Sequence, residues 1–389
     1  MEAPADADSG RPEVVVGIVA DPDTPAELAE ELAEELPELL AENVDRNLVW
    51  NLQVVRDPLT AAVRDDIGAL NLARDQKARE NWDIAICLTD LPLLTDGRPV
   101  AVDVDAEDRV ALVSLPALGG LFLRRRVRRA IVQLVKNLVN AGAIDFRARE
   151  GRAPVGPIVP ERTAPLKRAA TDEEIVDLRI VGSPARGRVR LLLGMVRANG
   201  PWRLIPALAK ALAAALATSA IAIMNGAIWN VSSAIGADRL AVVTIFSMAA
   251  MVIWLIVHRH LWERPDSPTR QDREKAALYN ASTVLTLSLG VLWGLIGLCI
   301  VDFAVALFLI EGGVLSKQVG HSVGLDEYAR LAWLASAAAI VGGALGSEFE
   351  SDDAVRRATY GKRERLRREQ RERERQARER EESDTSASL

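Results

Sequence analysis

The sequence predicts an α/β N-terminal cytoplasmic domain, followed by an all-α four-helix transmembrane domain and a charged helical or disordered tail. Three observations carry this reading. From Glu13 short apolar runs alternate with helix-length segments; four long apolar runs follow residue 200; and the charge divides along the chain, Met1 to Gly120 holding 9 Lys+Arg against 26 Asp+Glu within a whole-chain net of −6. Alternating strands and helices argue for a largely parallel sheet with helical crossovers. Residues 1–12 read as a disordered N-terminus, 13–140 as the α/β domain, 141–174 as a linker, 175–203 as a juxtamembrane region, 204–348 as the transmembrane domain and 349–389 as a charged cytoplasmic tail.

The opening MEAPADADSG is acidic and lacks the basic-then-apolar order of a secretory signal. EVVVGIVAD then has the length and apolarity of a buried strand. TPAELAEELAEELPELL reads as a helix opened by Thr24 as N-cap, with Pro25 in the first turn and Glu27 three residues after the cap. NLVWNLQVVRD is the second strand, residues 66 to 80 the second helix and WDIAICLTD the third strand. PVAVDVDAEDRVALVSL has the form of a hairpin turning at AlaGluAsp, and a helix ends the domain at about 120 to 140. The Pro/Gly-rich stretch after Gly142 reads as connection.

Enzyme signatures are scarce. GxGxxG, GxxxxGKS, GxSxG and HExxH are absent, and the histidines, His258, His260 and His321, fall in membrane loops. Cys87 and Cys299 form neither a CxxC pair nor a disulfide framework. One constellation remains. Asp21, Asp57 and Asp90 each follow a proposed strand, and parallel strands would gather them at the carboxyl edge, where open α/β sheets bind ligands. Carboxylates at one edge would suit a hard cation such as Mg²⁺, the one cofactor this edge suggests. The same aspartates, two of them preceding proline, also have the composition of ordinary turns.

The helix LFLRRRVRRAIVQLVKNLV places Val127, Ile131, Leu134, Val135 and Leu138 on one side, with Arg124, Arg125, Arg126, Arg128 and Arg129 around its start. The apolar side can dock on a sheet. The arginines can stay in water, contact anionic lipid, or meet an acidic partner, including the chain's own glutamate-rich helix at 25 to 42. PARGRVRLLLGMVRA, residues 184 to 198, suits an interfacial helix.

Apolar runs at about 205–228, 240–257, 279–310 and 329–346 meet the spanning requirement of about 20 residues. Arg186, Arg188, Arg190, Arg197 and Arg203 precede the first; Arg259, Arg264, Arg270, Arg273 and Lys275 lie between the second and third. The positive-inside rule then sets both termini in the cytoplasm of a multi-pass protein of the cell inner membrane. Gly290 and Gly294, and Ala338, Gly342 and Gly346, are spaced for close helix packing, within one chain or in a homo-oligomer. Two charges fall inside the runs. Asp302 would lie about 27 Å above Val284, near the outer boundary, and is expected to be interfacial or water-accessible, a proton or ion site being the alternative. Lys210 is expected to snorkel to the cytoplasmic face. The tail RERLRREQRERERQARERE offers i,i+4 pairs such as Glu364 with Arg368 and Glu369 with Arg373, and reads as a solvated helix or coil; nucleic acid is disfavoured as its partner.

GLDEYARLAWLASAAAIVGGALGSEFESDDAVRRATYG, taken with REKAALYNASTVLTLSLGVL, resembles a family of uncharacterised actinobacterial membrane proteins with a cytoplasmic α/β domain before four spans. The resemblance implies architecture and no catalytic residues. The order WDIAICLTDLPL then RVALVSLPALGG before a helix is similar in layout to archaemetzincin-like proteases, but that helix carries arginines where zinc histidines would stand. The expectation is a sensor, scaffold or regulatory protein working with membrane lipids and a cytoplasmic partner. A small-solute or ion transporter, and an enzyme using the Asp-rich edge, are the alternatives.

Overall fold

The structure is a computed structural model that describes residues 11–57, 66–95, 97–140, 167–169, 176–265 and 268–346. The tail pairs at Glu364 and Glu369, the N-terminal ten residues and most of the 141–174 linker lie outside these. The chain divides into two compact units between Ala198 and Asn199.

In the first unit, strand β1 (Glu13–Ala20) is followed by helices α1 (Thr24–Ala33) and α2 (Leu36–Asn43), strand β2 (Val49–Arg56), helix α3 (Asp66–Glu80) and strand β3 (Ile84–Thr89). The expected single helix at 25 to 42 is two helices. Pro37, in the first turn of α2, has no N–H to give the preceding turn, so the ladder is interrupted there. Thr24 lies inside α1 rather than capping it; Asp23 takes the cap position, with φ +74 and no side-chain capping bond.

Strands β4 (Leu93–Thr95), β5 (Arg98–Asp105) and β6 (Val110–Ser114) come next, then helices α4 (Leu115–Leu118) and α5 (Leu123–Asn140). Strands β7 (Lys167–Ala169) and β8 (Leu178–Val181) and helix α6 (Pro184–Asn199) complete the sequence of elements up to the division. The sheet order is β2-β1-β3-β6-β5-β8-β7, with β4 paired to β5. The first four strands are parallel and β5, β8 and β7 antiparallel, so the sheet is mixed. The 98–114 hairpin forms as read. The domain nevertheless does not end at 140: β7 comes from the stretch read as linker and β8 from the juxtamembrane region. Both extend the sheet past β5, β7 pairing with β8 and β8 with β5 across a sequence separation too great for local pattern to show.

Burial follows the sequence pattern. The apolar residues of β3 and, from Val16 on, those of β1 are buried, as strands covered on both faces require. Val127, Ile131, Leu134, Val135 and Leu138 form the fully buried side of α5. Gly17 in β1 accommodates the Trp82 ring, since a Cβ there would lie 1.8 Å from a ring carbon. The Trp82 indole N–H donates to Gln53 at 2.7 Å. Helix α6 docks one face on its own unit: Gly187, Leu191, Gly194 and Met195 are buried, and a Cβ on Gly194 would sit 2.2 Å from the Pro116 carbonyl oxygen.

The second unit is helical. A 3₁₀ turn (Pro201–Arg203) leads to α7 (Leu204–Ala207), α8 (Ala209–Ile223), α9 (Gly226–Ala234), α10 (Ala237–His258), α11 (Arg270–Leu309), α12 (Gly312–Val319) and α13 (Leu325–Gly346). Among the described residues two helices, α10 and α11, are long and apolar enough to cross a membrane, and three spans result if the bent helix interrupted at Leu208 counts as one. The run at 205–228 is therefore not one continuous helix. One break comes two residues after Pro206, which lacks a ladder N–H. The other comes at Asn225, whose side chain caps α9 by accepting from the Ala227 N–H at 2.9 Å. Three of the small residues pack against neighbours in the same chain: a Cβ on Gly290 would meet Leu204, one on Gly294 Leu212, and one on Gly342 Thr218.

Candidate functional site

Because β2, β1 and β3 are adjacent and parallel, Asp57, Asp21 and Asp90 do stand together at the carboxyl edge. The structure turns them to different tasks. Asp21 is fully buried, and its Oδ2 accepts from the Thr89 hydroxyl at 2.7 Å and from the Asp90 N–H at 3.1 Å. Thr89 Oγ1 in turn accepts from the Leu91 N–H at 3.1 Å, and Ser114 Oγ donates to the Leu91 carbonyl at 2.5 Å. One network thus ties the ends of β1, β3 and β6 and shapes the Asp90–Leu91 turn. The Asp57 N–H joins the same edge by donating to the Ala20 carbonyl. Among the described residues no three His, Cys, Asp or Glu side chains are grouped to hold a metal ion. The edge position was legible in the sequence. The Thr89 and Ser114 contributions were not, since neither residue type signals a partner by spacing.

Two further polar clusters lie in this unit. Arg179 of β8 is buried against Asp103 of β5, donating to both carboxylate oxygens at 2.8 and 3.1 Å and to Thr95 Oγ1 at 3.1 Å. Arg74 of α3 meets Asp105 at 2.5 Å and also Asp108, fastening α3 to the β5–β6 turn. Beside Gly119, whose φ of +95 favours glycine, Arg126 donates to the Leu118 carbonyl at 2.5 Å. Arg190 approaches the same glycine, and its burial, with the nearby Arg126 charge second, brings it down to about 10. It stays a cation at pH 7.

The five arginines of α5 therefore separate. Arg124 reaches Glu31 and Glu35, at 3.8 and 3.4 Å, and Arg128 reaches Glu35 at 3.2 Å, so the chain's own glutamate-rich segment is a partner. Arg126 turns inward. Arg125 and Arg129 remain exposed.

In the helical unit Asp302 is buried rather than water-accessible. It is 1% exposed, and its two oxygens accept from Ser219 of α8 at 2.8 Å and Ser336 of α13 at 2.6 Å. Depth counted along α11 alone could not reveal hydroxyls arriving from two other helices. Apolar clusters lie around it, one containing Ala215, Leu298 and Ala339, another Ile223, Ala306 and Leu331. Lys210 is exposed on α8, nine residues before Ser219, about 13 Å along the helix, so the two charges do not meet. A groove of about 930 Å³ opens between α10 and α11, lined by Met248, Val252 and Ile256 with His260, Trp262 and Arg264 at one end.

No protein-family model, no curated protein and no solved structure matches the chain.

Proposed function

We propose that the chain is a multi-pass inner-membrane protein with both termini cytoplasmic, whose α/β domain senses or recruits a cytoplasmic partner while its helices anchor that domain. The observation that carries this is the disposition of polar groups in the helical unit. Ser219 and Ser336 each donate to Asp302, joining three helices, and Trp333 donates to Thr244 at 2.9 Å between α13 and α10. Intramembrane polar side chains used this way hold helices together. A transporter needs such groups to face a path instead.

Two measurements test the reading. Reporter fusions after Ala198, Gly236, Asp272, Gly320 and Gly361 should read in, out, in, out, in; an external signal at Asp272 would remove the four-span topology. Purification in mild detergent should retain a stoichiometric cytoplasmic partner. Proton or cation flux in proteoliposomes that disappears in Asp302→Asn with folding preserved would replace anchoring by transport.

A further inference from the structure

The turn between α4 and α5 presents apolar side chains that the fold leaves uncovered. Leu121 is 71% and Phe122 75% exposed, and Phe122 has φ +54, a left-handed conformation that an aromatic residue adopts only at a cost. The ring nevertheless finds no internal packing to offset that cost. Helix α6 lies beside the turn. The Arg197 guanidinium donates to the Gly120 carbonyl at 2.5 Å, and a Cβ on Gly120 would lie 2.9 Å from the Leu193 carbonyl oxygen. The outer face of α6 reads Arg186, Val189, Leu193, Arg197, all exposed at helical spacing. Arg125 and Arg129 are exposed on α5 three and seven residues after Phe122, the spacing of one helix face, so exposed apolar side chains (Leu121, Phe122, Leu193) and exposed arginines (Arg125, Arg129, Arg197) come from the same two helices and the turn that α6 touches at Gly120.

We infer that this patch is a membrane-docking surface, inserting Leu121 and Phe122 among the acyl chains of an anionic leaflet while Arg125, Arg129 and Arg197 contact lipid phosphates. Charge complementarity and the course of the chain favour this occupant. Exposed apolar side chains accompanied by arginines match the headgroup boundary of anionic lipid. The chain also enters its first apolar run at about Leu204, only eleven residues after Leu193, so the patch is close in sequence to the proposed point of membrane entry. The charged tail is a poor alternative, because residues 361–381 carry almost no apolar side chain to cover Phe122.

The inference rests on the helical unit being membrane-inserted, and the experiment separates the two. The full chain, with Cys87 and Cys299 replaced by alanine, is placed in nanodiscs containing either neutral phosphatidylcholine or a mixture with phosphatidylglycerol, each with doxyl-labelled lipid. A bimane label is attached in turn at Phe122→Cys, Glu107→Cys and Phe308→Cys. Phe308, 88% exposed on α11, reports insertion and should be quenched in both compositions. Glu107, on the turn at the opposite edge of the parallel strands, should be quenched in neither. Phe122 should be quenched in the anionic disc and recover in high salt. The Arg125→Gln, Arg129→Gln double variant should weaken its docking about 30-fold, from roughly one kcal/mol per arginine. Quenching at Phe308 with none at Phe122, or equal Phe122 quenching in neutral and anionic discs, overturns the inference. A Phe122 label shielded from water but untouched by the lipid quencher also overturns it, assigning the patch to a protein.

Discussion

The sheet unit sets its buried carboxylate Asp103 against the guanidinium of Arg179, whereas the helical unit sets Asp302 between two serine hydroxyls. The difference follows from how each strand or helix brings its neighbours. Adjacent antiparallel strands place Asp103 and Arg179 side by side in register, so a long cation can lie along the sheet and satisfy both oxygens. Three packed helices allow only short side chains at their centre. Serine donates a hydrogen bond without holding the backbones apart. The contrast teaches that one unit stores its polar energy in a charge pair and the other in neutral donors, and the two should respond differently to loss of a partner.

The sharpest break is Arg179→Met, which strands a buried carboxylate. It should destabilise the sheet unit by about 3–5 kcal/mol, read as a lower unfolding temperature of the purified full chain. Replacing Asp103 by leucine in the same molecule should return most of that loss. Failure of the second change to help would mean that Arg179 acts through packing rather than charge.

Close backbone approach offers a second comparison. A methyl group on Gly194 would meet the Pro116 backbone, while one on Gly290 would meet the flexible side chain of Leu204. Gly194→Ala should therefore cost about 1–3 kcal/mol by overpacking, with Gly290→Ala the milder of the two. Equal losses by calorimetry would show that the helical unit is as rigid at that contact as the sheet unit.

The smallest effect is expected at Asp302. Asp302→Leu removes the acceptor for two hydroxyls and should cost about 1–2 kcal/mol, whereas Asp302→Asn keeps an acceptor and should fall below that. Unfolding in detergent by graded denaturant would rank them. An Asn variant as damaged as the Leu variant would show that charge, not hydrogen bonding, matters there.

Much of the sheet was legible because its strands declare themselves locally. VVVGIVA and DIAICLT are continuous apolar runs, and the 98–114 hairpin carries its own turn. Strands β7 and β8 were not, being three and four residues long within or just after a Pro/Gly-rich stretch and joined to the sheet only where β8 meets the distant β5. The site divides in the same manner. Placing Asp21, Asp57 and Asp90 at one edge needs only strand order. Knowing that Asp21 faces Thr89 and the Asp90 amide needs the rotation of each strand end, which no spacing records. Likewise Glu35 could be named as a partner for the arginines of α5 by charge, yet which arginines reach it depends on helical facing.

Helix α11 has one last implication, concerning angular phase. Nine of its thirteen buried residues, Ala276, Asn280, Thr283, Leu287, Gly290, Gly294, Leu298, Asp302 and Ala306, recur every three or four positions and form a stripe along a 40-residue helix. At about 100° per residue, one amino acid inserted near Trp293 would swing Asp302 roughly a quarter turn away from Ser219 and Ser336. Seven inserted residues amount to nearly two whole turns, so the stripe would realign while shifting about 10 Å along the axis. A graded insertion series would accordingly produce an oscillating response, and its period would report whether the helix transmits rotation from its polar start to the serine-bound aspartate.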